Sequence, residues 1–286
     1  MCVMDLRALV WPTSGTGADL AGVLETAGDA ASNANNGAPE QMVARYLRWG
    51  SDQVRMLQTR VRGADLARLV ATPRYWATVA NPSPTAPTVN AIGEEMVHQS
   101  RALKEAAETT RRAADLWRLA DGQFSSLVLV DSNFWIEQSD SFSSIDWHQL
   151  IADGDGPGHA ASGEELRLVV PILGVDELDT MTHKSSVRPK AAGAAKWLYS
   201  QLSGSTDRPA TISPEIGGHG AVTIQLVFDP PGHTRQSIND DELIERTIAF
   251  RNFLGVPEQQ TFMLTYDTGA AFRAESNGLM PRLLSK

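Results

Sequence analysis

The chain has 286 residues, 42% of them hydrophobic and 21% charged, which provides for one large or two small cores and excludes chain-wide disorder. A net charge of −9 argues against a protein that coats DNA generally, and the single cysteine, Cys2, excludes an internal disulfide and a cysteine-based zinc site. No apolar run approaches the roughly 20 residues that span a bilayer, and the N-terminal apolar stretch is broken by Asp5 and Arg7; the expectation is a cytoplasmic protein with no membrane association.

The charge is unevenly spread. Residues 1–40 carry 1 basic and 5 acidic side chains, residues 41–120 carry 12 and 7, and residues 121–286 carry 12 and 22. A basic middle joined to an acidic second half points to two units, 1–120 and 121–286, with different tasks.

Along the chain, residues 15–39 are rich in Gly, Ala, Asn and Asp with little periodicity, and SNANNGAPE reads as a loop. Residues 40–71 show helical spacing through Met42, Val43, Tyr46, Leu47 and Trp49 and on to Leu69. NPSPTAPT, 81–88, reads as a breaker. Ile92 to Leu119 is helical again through Met96, Leu103 and Trp117. The first 120 residues are therefore expected to be all-helical.

The texture changes at Asp121-Gly122. Short apolar runs follow at 127–130, 166–173, 222–228 and 261–265, with helical segments at about 143–151, 175–182, 189–202 and 239–254. Strands alternating with helices predict an α/β fold, a mainly parallel sheet with helices on both faces, preceded by the helical region.

The strand ends carry acids: Asp131-Ser132-Asn133, then Val175-Asp176-Glu177-Leu178, then Asn239-Asp240-Asp241-Glu242, then Thr265-Tyr266-Asp267. Ligands of open α/β sheets bind outside the carboxyl ends of the strands. Four carboxylates at one edge repel unless a cation holds them, and oxygen ligands without a Cys or His set suit Mg²⁺ or Mn²⁺. Against this, Asp is also a common turn and N-cap residue.

The segments LVLVDSNFW, VVPILGVDELDTMTHKSSVRPKAAGAAKWL, INDDELIERTIAF and MLTYDTGAAFRAESNGL resemble a PIN domain, over about residues 127–280. The resemblance implies a metal-dependent ribonuclease fold in which Asp131, Glu177, Asp241 and Asp267 are the four acids. Asp240 is the alternative for the third, and Asn133 and Thr265 stand beside the first and last. It implies Mg²⁺ or Mn²⁺, one ion or two, and hydrolysis of RNA phosphodiesters by activated water. The helix phase of Asp-x-Leu-Ile directs Asp241 to the metals and leaves Asp240 as the helix cap.

A polyanionic substrate at an acidic edge needs cations nearby. His183, Lys184, Arg188 and Lys190 lie in and just after the loop that follows Glu177, and His233 and Arg235 precede Asp241. An ordinary exposed loop and a plain surface histidine are the competing readings. The expected substrate is single-stranded or structured RNA. The enzyme would be a toxin or an RNA-processing nuclease, and the helical region would contact a protein inhibitor or a second copy of the chain. Core packing is expected of most of the seven tryptophans, with Trp135, beside Asp131, the one to watch for base stacking. Two other readings compete. One is a non-catalytic nucleic-acid- or protein-binding module that keeps the fold, which the intact acids disfavour. The other is an aspartyl phosphatase or phosphoacceptor, disfavoured because Asn133 stands where that chemistry needs a second Asp.

Overall fold

The computed structural model describes residues 8–36, 38–119, 125–153, 165–215, 220–230 and 232–285, and divides the chain into two compact units between Asp115 and Leu116, with Pro230–Gly232 grouped with the first. The change of texture expected at Asp121-Gly122 lies outside the described residues.

The first unit is helical: α1 (Gly17–Asn35), α2 (Met42–Leu57), α3 (Gly63–Leu69), α4 (Pro73–Ala80) and α5 (Ala86–Trp117), whose last two residues belong to the second unit. Helix α1 occupies most of the stretch expected to lack periodicity. Its buried stripe is Leu20, Ala21, Leu24, Ala27, Gly28 and Ala31, a helical repeat written mostly in small residues. A capping box opens it: the Thr16 hydroxyl accepts from the Asp19 amide at 3.1 Å, and the Asp19 carboxylate accepts in return from the Thr16 amide. Gly28 is needed for close approach, since a Cβ there would lie 2.9 Å from Lys104 Cγ and 3.2 Å from the Ser100 carbonyl. The long segment expected at 40–71 is two helices separated by a turn, and α5 starts inside the expected breaker with Pro87 in its first turn. Tyr46, Trp49, Leu57, Leu69, Met96 and Leu103 fill the core between them.

The second unit runs β1 (Ser125–Val130), α6 (Ser132–Glu137), α7 (Trp147–Asp153), β2 (Glu165–Pro171), α8 (Ile172–Met181), α9 (Arg188–Leu202), β3 (Ala210–Ser213), β4 (Val222–Val227), α10 (Asn239–Leu254), β5 (Thr261–Thr265), α11 (Thr268–Ser276) and β6 (Met280–Leu283). The strands form one sheet in the order β3-β4-β2-β1-β5-β6, parallel throughout except for β3. The two edge strands, β3 and β6, are four residues each and are additions to the four strands expected from the sequence.

Strand alternation separates two apolar layers. Val128, Val130, Phe262 and Leu264 face one way, into a core completed by Phe134, Trp135, Trp147, Ala194 and Leu198. Leu129 and Met263 face the other way, against Leu243, Ile244, Ala270 and Ala274 of α10 and α11. Burial on both faces explains why these strands are continuous apolar runs. From β1 the chain moves to β2, then to β3 at the edge and back to β4 between them, all on one side, and then crosses to β5 and β6 on the other. The order therefore reverses between β1 and β5, and the crevice of such a sheet opens at the carboxyl ends of those two strands.

Candidate metal-dependent active site

Asp131 follows β1 at that crevice and is 4% exposed. Its Oδ2 accepts from the Thr265 hydroxyl at 2.7 Å and, at a longer 3.4 Å, from Asn133 Nδ2. Thr265 is the last residue of β5 and is itself fully buried. Its hydroxyl oxygen also accepts from the Asp267 backbone N–H at 2.9 Å. One hydroxyl thus ties the first acid to the backbone of the last. Asp267 is the N-cap of α11, with Oδ1 accepting from Gly269 N at 2.6 Å and Ala270 N at 3.2 Å. Its capping role and its place at the site coexist, because only one carboxylate oxygen is taken up.

Glu177 reaches the same place from α8. Its Oε2 accepts from the Ser132 hydroxyl and its Oε1 from Asn239 Nδ2 at 2.6 Å. Neither donor follows from sequence spacing alone: Ser132 and Glu177 are 45 residues apart, and Asn239 is 62 residues beyond Glu177.

Burial pushes the Asp131 carboxyl above its ordinary pKa; the Thr265 hydrogen bond pulls it back, and the charge of Glu177 raises it further. Asp240 is also raised, first by burial, then by the charges of Asp131 and Asp267. The Asp240 carboxylate therefore shares the electrostatic environment of the first and last acids. Asp241 is turned to Arg273 of α11, whose Nη1 lies 3.2 and 3.3 Å from its two oxygens. Asp241, expected at the metals, is thus held by a guanidinium. Helix α10 begins at Asn239 with Ile238 as its N-cap and no side-chain cap, so Asp240 has no capping role. Adjacent helical residues point about 100° apart, and within this pair it is Asp240 whose carboxyl feels the charges of Asp131 and Asp267, while Asp241 faces Arg273.

A family model for the PIN domain matches residues 128–281. The chain belongs to the PIN domain family. PIN domains are typically metal-dependent nucleases, they commonly bind a divalent ion, and their substrates are nucleic acids. No curated protein and no solved structure gives a significant match.

The PIN acids fit a divalent cation by their charge. Among the described residues, no Lys or Arg pairs with Asp131, Glu177 or Asp267, and Asp240 has only the Nε of Arg273, at 3.9 Å. Their ligand atoms are spread too widely to enclose a bare ion unaided. The only group of three potential ligands within 4.8 Å of one another, among the described residues, is Asp229, His233 and Glu242. That group is an ion-pair network rather than a cation cage. Arg235 bridges Asp229 and Asp176 at 2.7 Å each, and Glu242, with no exposed surface, takes His233 Nε2 at 2.7 Å, Arg246 Nε at 3.2 Å and the Gln236 N–H at 2.9 Å. Two guanidiniums already neutralise its carboxylates.

These contacts also relocate part of the expected substrate surface. His233 is turned in to Glu242 and Arg235 is held by two carboxylates, so neither presents a free cation. Lys190 lies 3.2 Å from Glu137. His183, Lys184 and Arg188 are exposed and have no ion pair among the described residues. Trp135 is 1% exposed and packs against Phe134, Phe142, Trp147 and Trp197, so it is core and not a stacking platform. Among the described residues, no helix is long and apolar enough to cross a membrane.

Proposed function

We propose that this PIN domain protein is a Mg²⁺- or Mn²⁺-dependent endoribonuclease acting on single-stranded RNA. The observation that carries this reading is the Thr265 hydroxyl, which joins Asp131 to the Asp267 backbone at the switch point of the sheet, where neither acid has a cationic partner among the described residues. Asp131, Glu177, Asp240 and Asp267 would hold the metal, which when bound supplies activation of water and neutralisation of the leaving oxygen.

The chain's own residues prepare that site. Thr265 fixes the rotamer of Asp131, and Ser132 and Asn239 hold both oxygens of Glu177, so each carboxylate is oriented by the chain before an ion arrives. The Gly269 and Ala270 amides steady Asp267 while leaving its Oδ2 open. His183 and Lys184, on the segment joining α8 to α9, and Arg188, the first residue of α9, attract the phosphate backbone, and their contribution weakens with salt.

The test is cleavage of single-stranded RNA with and without Mn²⁺. Cleavage that needs the ion, leaves 5′-phosphate and 3′-hydroxyl ends, and is lost in Asp131→Asn and Asp240→Asn supports the reading. A wild-type protein that binds RNA but cuts none in Mg²⁺ or Mn²⁺ would instead be a binding module.

A further inference from the structure

A cavity of about 450 Å³ lies at the carboxyl end of β6, lined by Gln138, Ser144, Asp146, Leu150, Leu283 and Leu284 together with their neighbours. Its position follows from the sheet. Leu283 pairs in register with Thr265 across the parallel β5–β6 ladder, which places it about 4.8 Å from the residue that holds Asp131. The next residue, Leu284, donates its N–H to the Thr265 carbonyl at 2.9 Å. On the other wall, Gln138 Nε2 donates to the Tyr266 hydroxyl at 2.6 Å, one residue before Asp267. The cavity therefore opens at the same sheet edge as the acids, one strand further out.

The walls are fixed in advance. Arg282, fully buried in β6, donates from Nε to the Ile151 carbonyl of α7 at 2.7 Å and lies over the Phe262 ring at 4.8 Å, locking the last strand to the helix on the far side of the cavity. The Gln138 carbonyl oxygen of the side chain accepts from Ser141 Oγ at 2.8 Å, which fixes the amide orientation. Ile145, Leu150, Leu283 and Leu284 supply apolar faces, and Asp146 supplies an acceptor-only carboxylate, whose Oδ1 already accepts from the Gln149 amide. Among the described residues no cation lines the cavity, so a phosphate is not its natural occupant.

We propose that this cavity is a nucleobase subsite that selects guanine in the RNA strand next to the scissile phosphate. The proposal rests on the ribonuclease reading and goes beyond it by assigning a specificity determinant. Unstacked RNA bases are taken up between apolar faces and read on their edges by polar side chains. Guanine is the base whose Watson–Crick edge presents two neighbouring N–H donors, and a carboxylate accepts both. The volume falls within the range of small-molecule sites and accommodates a nucleoside.

The experiment measures binding of GMP, AMP, CMP and UMP to the full chain without divalent ions, by calorimetry or ligand-observed NMR, alongside Mn²⁺-dependent cleavage of a mixed-sequence RNA. GMP should bind about tenfold tighter than CMP or UMP, the scale of one paired set of base-edge contacts. Asp146→Asn, which keeps the helix-capping chemistry, should remove that preference; Ser144→Trp, at the exposed rim, should block all four nucleotides. Cleavage positions should follow guanine in the wild type and spread in Asp146→Asn. Equal binding of the four nucleotides, a preference for a base other than guanine, or a preference that survives Asp146→Asn overturns the proposal. The binding arm needs neither metal nor catalysis. A protein that cuts no RNA therefore refutes the nuclease reading, while the nucleotide affinities still decide whether the cavity selects guanine.

Discussion

Replacing Thr265 with Val removes one hydroxyl and keeps the shape of a fully buried side chain. Two hydrogen bonds go with it: the 2.7 Å donation to the Asp131 carboxylate and the 2.9 Å acceptance from the Asp267 N–H. A hydrogen bond to a charged group contributes about 1.5–3 kcal/mol, and a buried donor left without a partner costs about 1–3 kcal/mol. The two share one atom and are not additive, so we expect a loss of about 2–4 kcal/mol at neutral pH in the metal-free protein. The pH dependence has a definite sign. Burial raises Asp131, and the Thr265 hydroxyl opposes that rise by favouring the ionised form. Without it the carboxyl titrates higher still, so the acid limb of the cleavage profile moves to higher pH. The stability gap between variant and wild type narrows as acid protonates Asp131. Metal affinity should fall about 10- to 100-fold, as it does when a group orienting a ligand is removed. Urea denaturation in EDTA, Mn²⁺ titration and a pH–rate profile measure the three effects, and Thr265→Ser should restore most of each. A stability change below about 0.5 kcal/mol together with an unmoved acid limb would refute the bridging role, because that is the size of an incidental substitution.

Three further outcomes follow from other contacts. Asp240→Asn should abolish cleavage and the rise in melting temperature on adding Mn²⁺, whereas Asp241→Asn should lose only the partly exposed pair with Arg273, at most about 1 kcal/mol, and stay active; the reverse result would undo the orientation given to α10. Glu242→Ala removes the buried one of two carboxylate partners of Arg246, which is 5% exposed and keeps Glu245, and strips His233 of its partner; it should cost about 3 kcal/mol by denaturant unfolding. Burial raises Tyr46 of the helical unit from 10.0 to about 12. Ionisation of the unfolded chain should therefore remove about 2–3 kcal/mol between pH 10 and 12, a dependence that Tyr46→Phe should abolish in a stability–pH series.

The positions legible in the sequence are those whose placement is local. Asp131 and Asp267 each follow a continuous apolar strand, and a parallel sheet delivers both to one edge whatever the detail of packing. The choice between Asp240 and Asp241 is not local. It depends on the rotation of α10 against the sheet and on Arg273, a residue 32 positions away. Likewise, His233 and Arg235 look like free cations until Glu242, Asp229 and Asp176 are brought to them by the fold. Helix α1 is hidden because its buried stripe consists mostly of Ala and Gly, which carry little apolar signal. Strands β3 and β6 are hidden by length: four residues with a mixed burial pattern are too few to show a period.

Those two short strands have a consequence for how the protein behaves in a crowded solution. An open sheet exposes a row of unpaired amides and carbonyls at each margin, which another chain can extend by pairing. Here one margin carries Pro281, which has no N–H to offer, in the middle of its four residues. The other carries a register shift between Thr211 and Ser213, which distorts the row a newcomer would have to match. The chain thus keeps its aligned central strands, the most adhesive part of the molecule, behind margins that make poor templates. Self-assembly into fibres or swapped sheets is discouraged without any cost to the carboxyl-end crevice, where the sheet has to stay open.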